Sequence, residues 1–173
     1  MAMNINDLIK ATTQLQEEKA AAEREEALAD SNVVQMVSFM LEDIEYGIDI
    51  LQVHEIIRIP EITRLPNTPS YIKGVINLRG SVVPVVDMRE RFGLPQGTQT
   101  DQTRIIVIES GDKLIGLWVD SVYQVVRLPL ANIDPPSELI EGISEEFIKG
   151  VGRLRNRLII ILNFESLLFA REA

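Results

Sequence analysis

The chain has 173 residues, of which 46% are hydrophobic, so it can form one ordinary domain or two very small ones. None of its apolar runs approaches the roughly 18 residues needed to span a membrane. Asp7 and Lys10 are charged residues where a signal peptide would need an apolar run, so we expect no signal peptide. It contains no cysteine, and its net charge of −9 argues against binding a phosphate backbone. We therefore expect a cytoplasmic protein that binds no nucleic acid and does not insert into a membrane.

Residues 1–32 differ in composition from the rest of the chain. They hold seven acidic and three basic residues, and Ile5, Leu8, Thr12 and Leu15 keep a partial helical spacing. Beyond Leu15 the apolar stripe fades into alanines, and a helix that buries no face is marginal in water. We expect a frayed helix or a flexible tail whose deletion spares the fold. A docking or membrane-proximal helix is the alternative.

From Val34 the apolar residues follow the period of β-strands. Three strand runs come first: Val34–Leu41, Ile44–Ile50 and Val53–Ile59. Thr68 can then cap a short turn that starts at Pro69, because proline is accepted at the first helical position.

The stretch Lys73–Asp87 consists of two apolar runs that meet at the polar tip Arg79-Gly80-Ser81. Such runs, broken by a glycine turn, predict a β-hairpin. Pro84 lacks an N–H, so the returning strand is expected to be an edge strand or to carry a bulge there. Asp87 fits the N-cap of a helix of little more than one turn. Arg79 would stand in solvent near the tip, as a recognition residue or as a plain solvated turn residue.

The second half of the chain repeats the first at two offsets. A shift of 69 positions aligns Gly47 with Gly116, and a shift of 76 aligns Gly74 with Gly150. The difference of seven residues is an insertion at Ile133–Leu139. Two offsets that hold across separate motifs indicate a duplicated β unit.

Units of five short strands with glycine-rich turns usually close into small barrels, which removes exposed edges. We therefore predict a mostly β protein with two small five-stranded barrels side by side and short helices. The first barrel is expected over about residues 33–95 and the second over about 101–162, followed by a C-terminal helix at 163–170. Each barrel is near the lower size limit for stability, so the two should share apolar surface.

The motifs of catalysis are missing, so we expect no enzyme, no metal site and no cofactor. His54 is the single histidine, and the chain has no Gly-x-Ser-x-Gly motif and no P-loop. His54 and Glu55 are adjacent, so they should point to opposite sides of a strand rather than share a metal. Trp118 alternates with Leu114 and Gly116, which favours core packing over a ligand platform.

Three motifs resemble those of the CheW-type chemotaxis coupling proteins. They are Glu45-Tyr46-Gly47-Ile48-Asp49-Ile50, Pro66-Asn67-Thr68-Pro69-x-Tyr71-Ile72-x-Gly74, and Gly-Val-Ile-Asn-Leu-Arg-Gly-x-x-x-Pro-Val-Val-Asp at 74–87. The resemblance covers roughly Val34–Phe169 and implies two SH3-like barrels with a C-terminal helix. It also implies an adaptor that joins the cytoplasmic tips of chemoreceptors to the regulatory domain of the CheA histidine kinase, at membrane-associated arrays.

The resemblance further implies two sets of contact residues. The receptor-facing set is Val53, Glu55, Asn77 and Arg79. The kinase-facing set is Arg58 and Pro60 in the first barrel, with Asp134 and Glu138 in the second. On this interpretation, Arg79→Glu would weaken receptor binding and leave thermal unfolding nearly unchanged. The alternatives are a coupling protein of a related chemosensory array, such as one for surface motility, and a small nucleic-acid-binding β-barrel.

Overall fold

A computed structural model describes residues 5–28, 32–136 and 145–163, and within them the chain is mostly β, as predicted. The strands are β1 (Val33–Leu41), β2 (Ile44–Asp49), β3 (Val53–Ile57), β4 (Ile72–Leu78), β5 (Ser81–Asp87), β6 (Arg104–Ser110), β7 (Lys113–Val119), β8 (Ser121–Pro129), β9 (Ile133–Asp134), β10 (Ile148–Leu154) and β11 (Arg157–Leu162). The helices are α1 (Ile5–Leu28) and α2 (Met88–Arg91), with 3-10 turns at Ile50–Gln52, Leu130–Asn132 and Glu145–Phe147. Glu138 and, apart from Asn163, the expected C-terminal helix lie outside the described residues.

The strands form two sheets that do not follow the two halves of the sequence. The first sheet has the order β8-β1-β2-β11-β10-β9, and the second has the order β3-β6-β7-β5-β4. The first sheet therefore combines β1 and β2 of the first half with four strands of the second, of which the short β9 has no counterpart in the other sheet. The second sheet combines β6 and β7 of the second half with β3, β4 and β5 of the first. The sequential division at 33–95 and 101–162 differs from this topology, because the repeats exchange the pairs β1–β2 and β6–β7.

The predicted repeat is confirmed by the register of the two parallel ladders. In the first sheet Gly47 of β2 pairs with Ile161 of β11, and in the second sheet Gly116 of β7 pairs with Val85 of β5. Both glycines are needed for close packing: a Cβ would meet an isoleucine Cγ2 at 2.9 Å from Gly47 and at 2.8 Å from Gly116. The two sheets are thus built to the same local pattern.

The two sheets share one apolar core, as their small size predicts. An aromatic series crosses it, with ring centroids 5.6 Å apart between Phe39 and Tyr46, 5.6 Å between Tyr46 and Phe92, and 6.0 Å between Phe92 and Phe147. Burial of the Tyr46 hydroxyl, followed by the nearby charge of Glu42, raises the pKa of Tyr46 to about 12.

The hairpin and its capped helix are confirmed. The carboxylate of Asp87 accepts from the backbone N–H of Arg89 at 3.1 Å and of Glu90 at 3.3 Å, which starts α2. Strand β5 lies inside its sheet, so it is not an edge strand. The expected alternative, a bulge, is matched by a register shift on the partner strand β4 between Ile72 and Gly74, next to the pair of Val75 with Pro84. Pro84 is tolerated because the ladder with β7 begins only at Val85.

Helix α1 packs on the chain's own sheets, so the expectation of a frayed or flexible tail is wrong for Ile5–Leu28, while the alternative of a functional docking or membrane-proximal helix stays a prediction. It lies against the 3-10 turn at Ile50–Gln52 and against β3. Leu15 and Ala22 are buried in the shared core. Within the described residues, no helix is long and apolar enough to cross a membrane.

A charged cluster joins α2 to the point where the chain passes between the sheets. Nε of Arg89 donates to Oδ1 of Asp120 at 2.8 Å, and the backbone N–H of Glu42 donates to Oδ2 of Asp120 at 2.8 Å. Burial pushes the pKa of Asp120 up, but these hydrogen bonds and the charge of Arg89 outweigh burial and lower that pKa below its ordinary value.

We expect Asp120→Asn to lower the free energy of unfolding by roughly 1.5–3 kcal/mol at neutral pH, since charged hydrogen bonds are lost. A carboxylate whose pKa is lowered by folding stabilises the protein above its unfolded pKa of about 3.9, and this contribution disappears as pH falls through the folded value. Denaturant unfolding of both proteins at pH 7 and about pH 3 tests this. The difference should shrink at the lower pH, whereas Asp112→Asn in the exposed β6–β7 turn should show none; a gap independent of pH would refute the electrostatic account.

Candidate protein-binding surface

The tip of the β4–β5 hairpin presents Arg79 beside Glu55 of β3. Nη2 of Arg79 donates to Oε1 of Glu55, and Nη1 lies 3.4 Å from Oε2. The Arg79 side chain is 69% exposed, whereas that of Glu55 is 10% exposed. The pair therefore holds an accessible guanidinium in place through a carboxylate that is nearly buried.

Asn77 shapes the turn that carries this guanidinium. Arg79 and Gly80 have φ of 49° and 90°, and positive φ at both central residues is the requirement of a type I′ turn. Oδ1 of Asn77 accepts from the backbone N–H of Gly80 at 2.8 Å. Asn77 is itself exposed, and through the turn and the ion pair the structure places Asn77, Arg79 and Glu55 close together.

Val53 is not exposed as Asn77 and Arg79 are, because its side chain is fully buried in the shared core. The register of β3 against β6 shifts between Val53 and Glu55, which marks a β-bulge at His54. The bulge places Nε2 of His54 3.7 Å from Oε1 of Glu55. The expectation that these neighbours point to opposite sides is therefore wrong; Nδ1 of His54 also contacts Oε1 of Glu109 at 3.1 Å.

The charge pair is not a general feature of the duplicated fold. The offset of 69 places Gln124 of β8 at the position of Glu55, and the offset of 76 places Arg155 at the position of Arg79. Arg155 also has a positive φ, of 56°, so the turn geometry is repeated while the acidic partner is not. The second sheet alone of the two thus combines the hairpin arginine with a carboxylate at the equivalent positions.

Arg58 and Pro60 are exposed on the segment that follows β3. Nearby, the buried Arg104 donates from Nη1 to the carbonyl oxygens of Asp101 at 2.8 Å and Thr103 at 2.7 Å. Burial and then the positive charge of Arg58 lower the pKa of Arg104.

A cleft of about 560 Å³ lies beside Pro60. Lys73 crosses it, with Nζ 4.2 Å from the ring centroid of Trp118 and 3.5 Å from Oδ2 of Asp87. Trp118 packs partly against the core of the second sheet, as predicted, and its other side lines this cleft. In the part of the chain that the structure describes, no cluster of three or more metal-ligating side chains occurs.

Asp134 lies on the other sheet, in β9, and is exposed. Its Oδ2 atom is 3.0 Å from Nε of Arg153 in β10. The kinase-facing candidates among the described residues are therefore divided between two surfaces, one near Arg58 and one near Asp134.

Glu45, which opens the first motif of the sequence, has a structural place that sequence reasoning missed. Its buried carboxylate accepts from Ser38 Oγ of β1 and from Arg157 of β11, with Nε of Arg157 at 3.0 Å. These contacts raise the pKa of Arg157, chiefly through the hydrogen bond to Glu45. The signal was an acidic residue inside an apolar strand run, because a buried charge requires a partner.

The structure of the scaffolding protein TtCheW from Thermoanaerobacter tengcongensis aligns with a TM-score of 0.75 and 35% identity, covering 79% of this chain and 92% of that one. Chemotaxis protein CheW of Klebsiella aerogenes is 40% identical over 134 residues, 78% of this chain and 81% of the relative. Chemotaxis protein CheW of Helicobacter pylori is 33% identical over 164 residues, 95% of this chain and 98% of the relative.

The profile of the CheW-like domain family matches residues 35–172. The chain belongs to this family, and the resemblance drawn from its three motifs is confirmed.

The contact with Glu55 changes the expectation for Arg79→Glu. The substitution would set two carboxylates against each other, one of them nearly buried, so we now expect a loss of roughly 1–3 kcal/mol in the free energy of unfolding. Arg79→Asn should cost less, because asparagine suits positive φ and adds no charge. Adding Glu55→Gln to Arg79→Glu should recover most of the loss in denaturant unfolding; equal stability of Arg79→Glu and wild type would show that the ion pair contributes nothing.

Proposed function

We propose that this chain is a non-enzymatic adaptor that couples the cytoplasmic tips of chemoreceptors to a CheA-type histidine kinase. It would act in the cytoplasm, recruited to membrane-associated receptor arrays. The observation that carries the proposal is the exposed Arg79 guanidinium, held by a type I′ turn and by Glu55.

The receptor-facing surface consists of Arg79, Asn77 and Glu55, with Val53 as the apolar support beneath them. A fixed guanidinium can form two parallel hydrogen bonds with a carboxylate on a receptor helix. Positioning by the turn and by Glu55 reduces the side-chain entropy that binding costs.

The kinase-facing candidates are Arg58 with Pro60 on one surface and Asp134 on another; Glu138, the fourth candidate, lies outside the described residues. Two separated surfaces suit an adaptor that must contact more than one partner within an array. Charged rim residues of this kind act mainly on the rate and specificity of association.

Replacing Arg79 by asparagine tests the receptor surface. Arg79→Asn keeps a residue suited to the turn and removes the guanidinium, so we expect affinity for a purified receptor cytoplasmic hairpin to fall by about tenfold or more. Kinase binding, measured by titration calorimetry, should be unchanged.

The matched control for this substitution is Arg155→Asn, at the equivalent hairpin of the other repeat. It changes the same residue type at a turn with the same sign of φ, and receptor affinity should stay at the wild-type value. Equal losses in both variants, or none in Arg79→Asn, would contradict the assignment of the receptor surface.

Reversing the charge at Asp134 tests the second kinase surface. Asp134→Arg places two arginines together in β9 and β10, and we expect it to weaken assembly of multi-unit arrays while one-to-one kinase binding and receptor binding persist. The swap Asp134→Arg with Arg153→Asp restores the local ion pair and serves as the structural control. Sedimentation of receptor vesicles with kinase measures assembly. Normal assembly by Asp134→Arg would show that the insertion Ile133–Leu139 is only a linker.

A further inference from the structure

Helix α1 lies on the same strand that carries the proposed receptor surface. Strand β3 is an edge of the second sheet. Nζ of Lys19 donates to the carbonyl oxygen of Val53 at 3.1 Å, and Oγ1 of Thr12 donates to that of Ile56 at 3.4 Å. These two carbonyls flank Glu55, so α1 is held on both sides of the carboxylate that positions Arg79.

The face of α1 turned toward the sheets repeats every seven residues. Leu15 and Ala22 are buried, Leu8 is half-buried, and the neighbouring Gln16 and Glu17 are exposed. Residues seven apart lie on one face of a helix, because seven residues make almost two turns. The surface formed by β3 and the Ile50–Gln52 turn therefore accepts an amphipathic helix with this spacing.

We propose that α1 is an internal competitor for the receptor, because it covers a helix-accepting surface that the helical tip of a chemoreceptor would take. The inference rests on the proposed receptor function. While α1 is docked, Val53 is fully buried and Glu55 nearly so, which leaves Arg79 and Asn77 as the accessible members of the set. Release of α1 opens the carbonyls of β3 and the apolar surface next to it.

The expected effect on affinity follows from the docked fraction of α1. When a binding-competent state is only partly populated, the apparent dissociation constant rises by the inverse of its fraction. Most of the stability of a helix in a protein comes from the packing of its apolar face, so undocked α1 should lose helicity as well as contact. Undocking can therefore be measured independently of receptor binding.

The test compares Leu15→Asp with Gln16→Asp in the full-length chain. Both place aspartate in the middle of α1, but the first falls on the buried face and the second on the exposed face. We expect Leu15→Asp to speed amide hydrogen exchange throughout α1 and to tighten binding to a purified receptor cytoplasmic hairpin by about tenfold. Gln16→Asp should match wild type, and kinase binding should be the same in all three proteins.

If Leu15→Asp fails to fold, Lys19→Glu removes the contact with Val53 without touching the core, and Lys10→Glu is its exposed control. If α1 is released and receptor binding is not tighter, the helix is a structural element and the proposal that it competes with the receptor is refuted. Persistent protection of α1 in both Leu15→Asp and Lys19→Glu would make it a permanent part of the fold, which also refutes the proposal. If no variant bound the receptor while kinase binding persisted, the proposed receptor function itself would fail.

Discussion

The exchange of strand pairs between the two repeats is the constraint on which the rest of the structure depends. The parallel ladders β2–β11 and β5–β7 lie in the middle of their sheets, and each joins strands from different halves of the chain. The ladders β1–β8 and β3–β6 also join the two halves, so the first repeat alone would keep only the hairpins β1–β2 and β4–β5, which are marginal in water. Neither repeat can therefore fold by itself, and the surfaces on the two sheets are held in a fixed relation. That rigidity suits a protein that must hold two partners at a set geometry.

The local features of this fold could be predicted from the sequence, whereas the exchange could not. The offsets of 69 and 76, the hairpin at Arg79-Gly80 and the cap at Asp87 each follow from residue types a few positions apart. The exchange has no such signal, because equivalent strands of the two repeats present the same apolar pattern and the same glycine to their neighbours. Pairing within a repeat or between repeats satisfies the same contacts. The choice between the two pairings is made where the chain crosses from one sheet to the other, at Ile50–Gln52 between β2 and β3 and at Asp120 between β7 and β8.

In the candidate site, too, some features could be predicted from the sequence and others could not. The position of Arg79 at a turn was predictable, but its partner Glu55 lies 24 positions away and needed the packed structure. The bulge at His54 depends on the register of two strands, so simple alternation misplaced His54 relative to Glu55. Helix α1 was underestimated because a hydrophobic pattern counts side chains alone. Part of its attachment comes from Lys19 and Thr12 bonding to backbone carbonyls of β3, which no apolar stripe records.

The two equivalent edges of the duplicated fold, β3 and β8, have diverged in sequence and in cover. Edge strands present unpaired backbone groups and are natural docking places for another segment. Strand β3 has Glu55 with the hairpin arginine beside it, and α1 lies across it. Strand β8 has Gln124 at the position equivalent to Glu55. It also has the exposed Tyr123, whose ring centroid is 4.9 Å from the guanidinium carbon of Arg157. Duplication supplied two copies of one geometry, and the charge pair and the helix occur together at one of them. Because Lys19 and Thr12 bond to the carbonyls on either side of Glu55, any movement of α1 changes the surroundings of the carboxylate that holds Arg79.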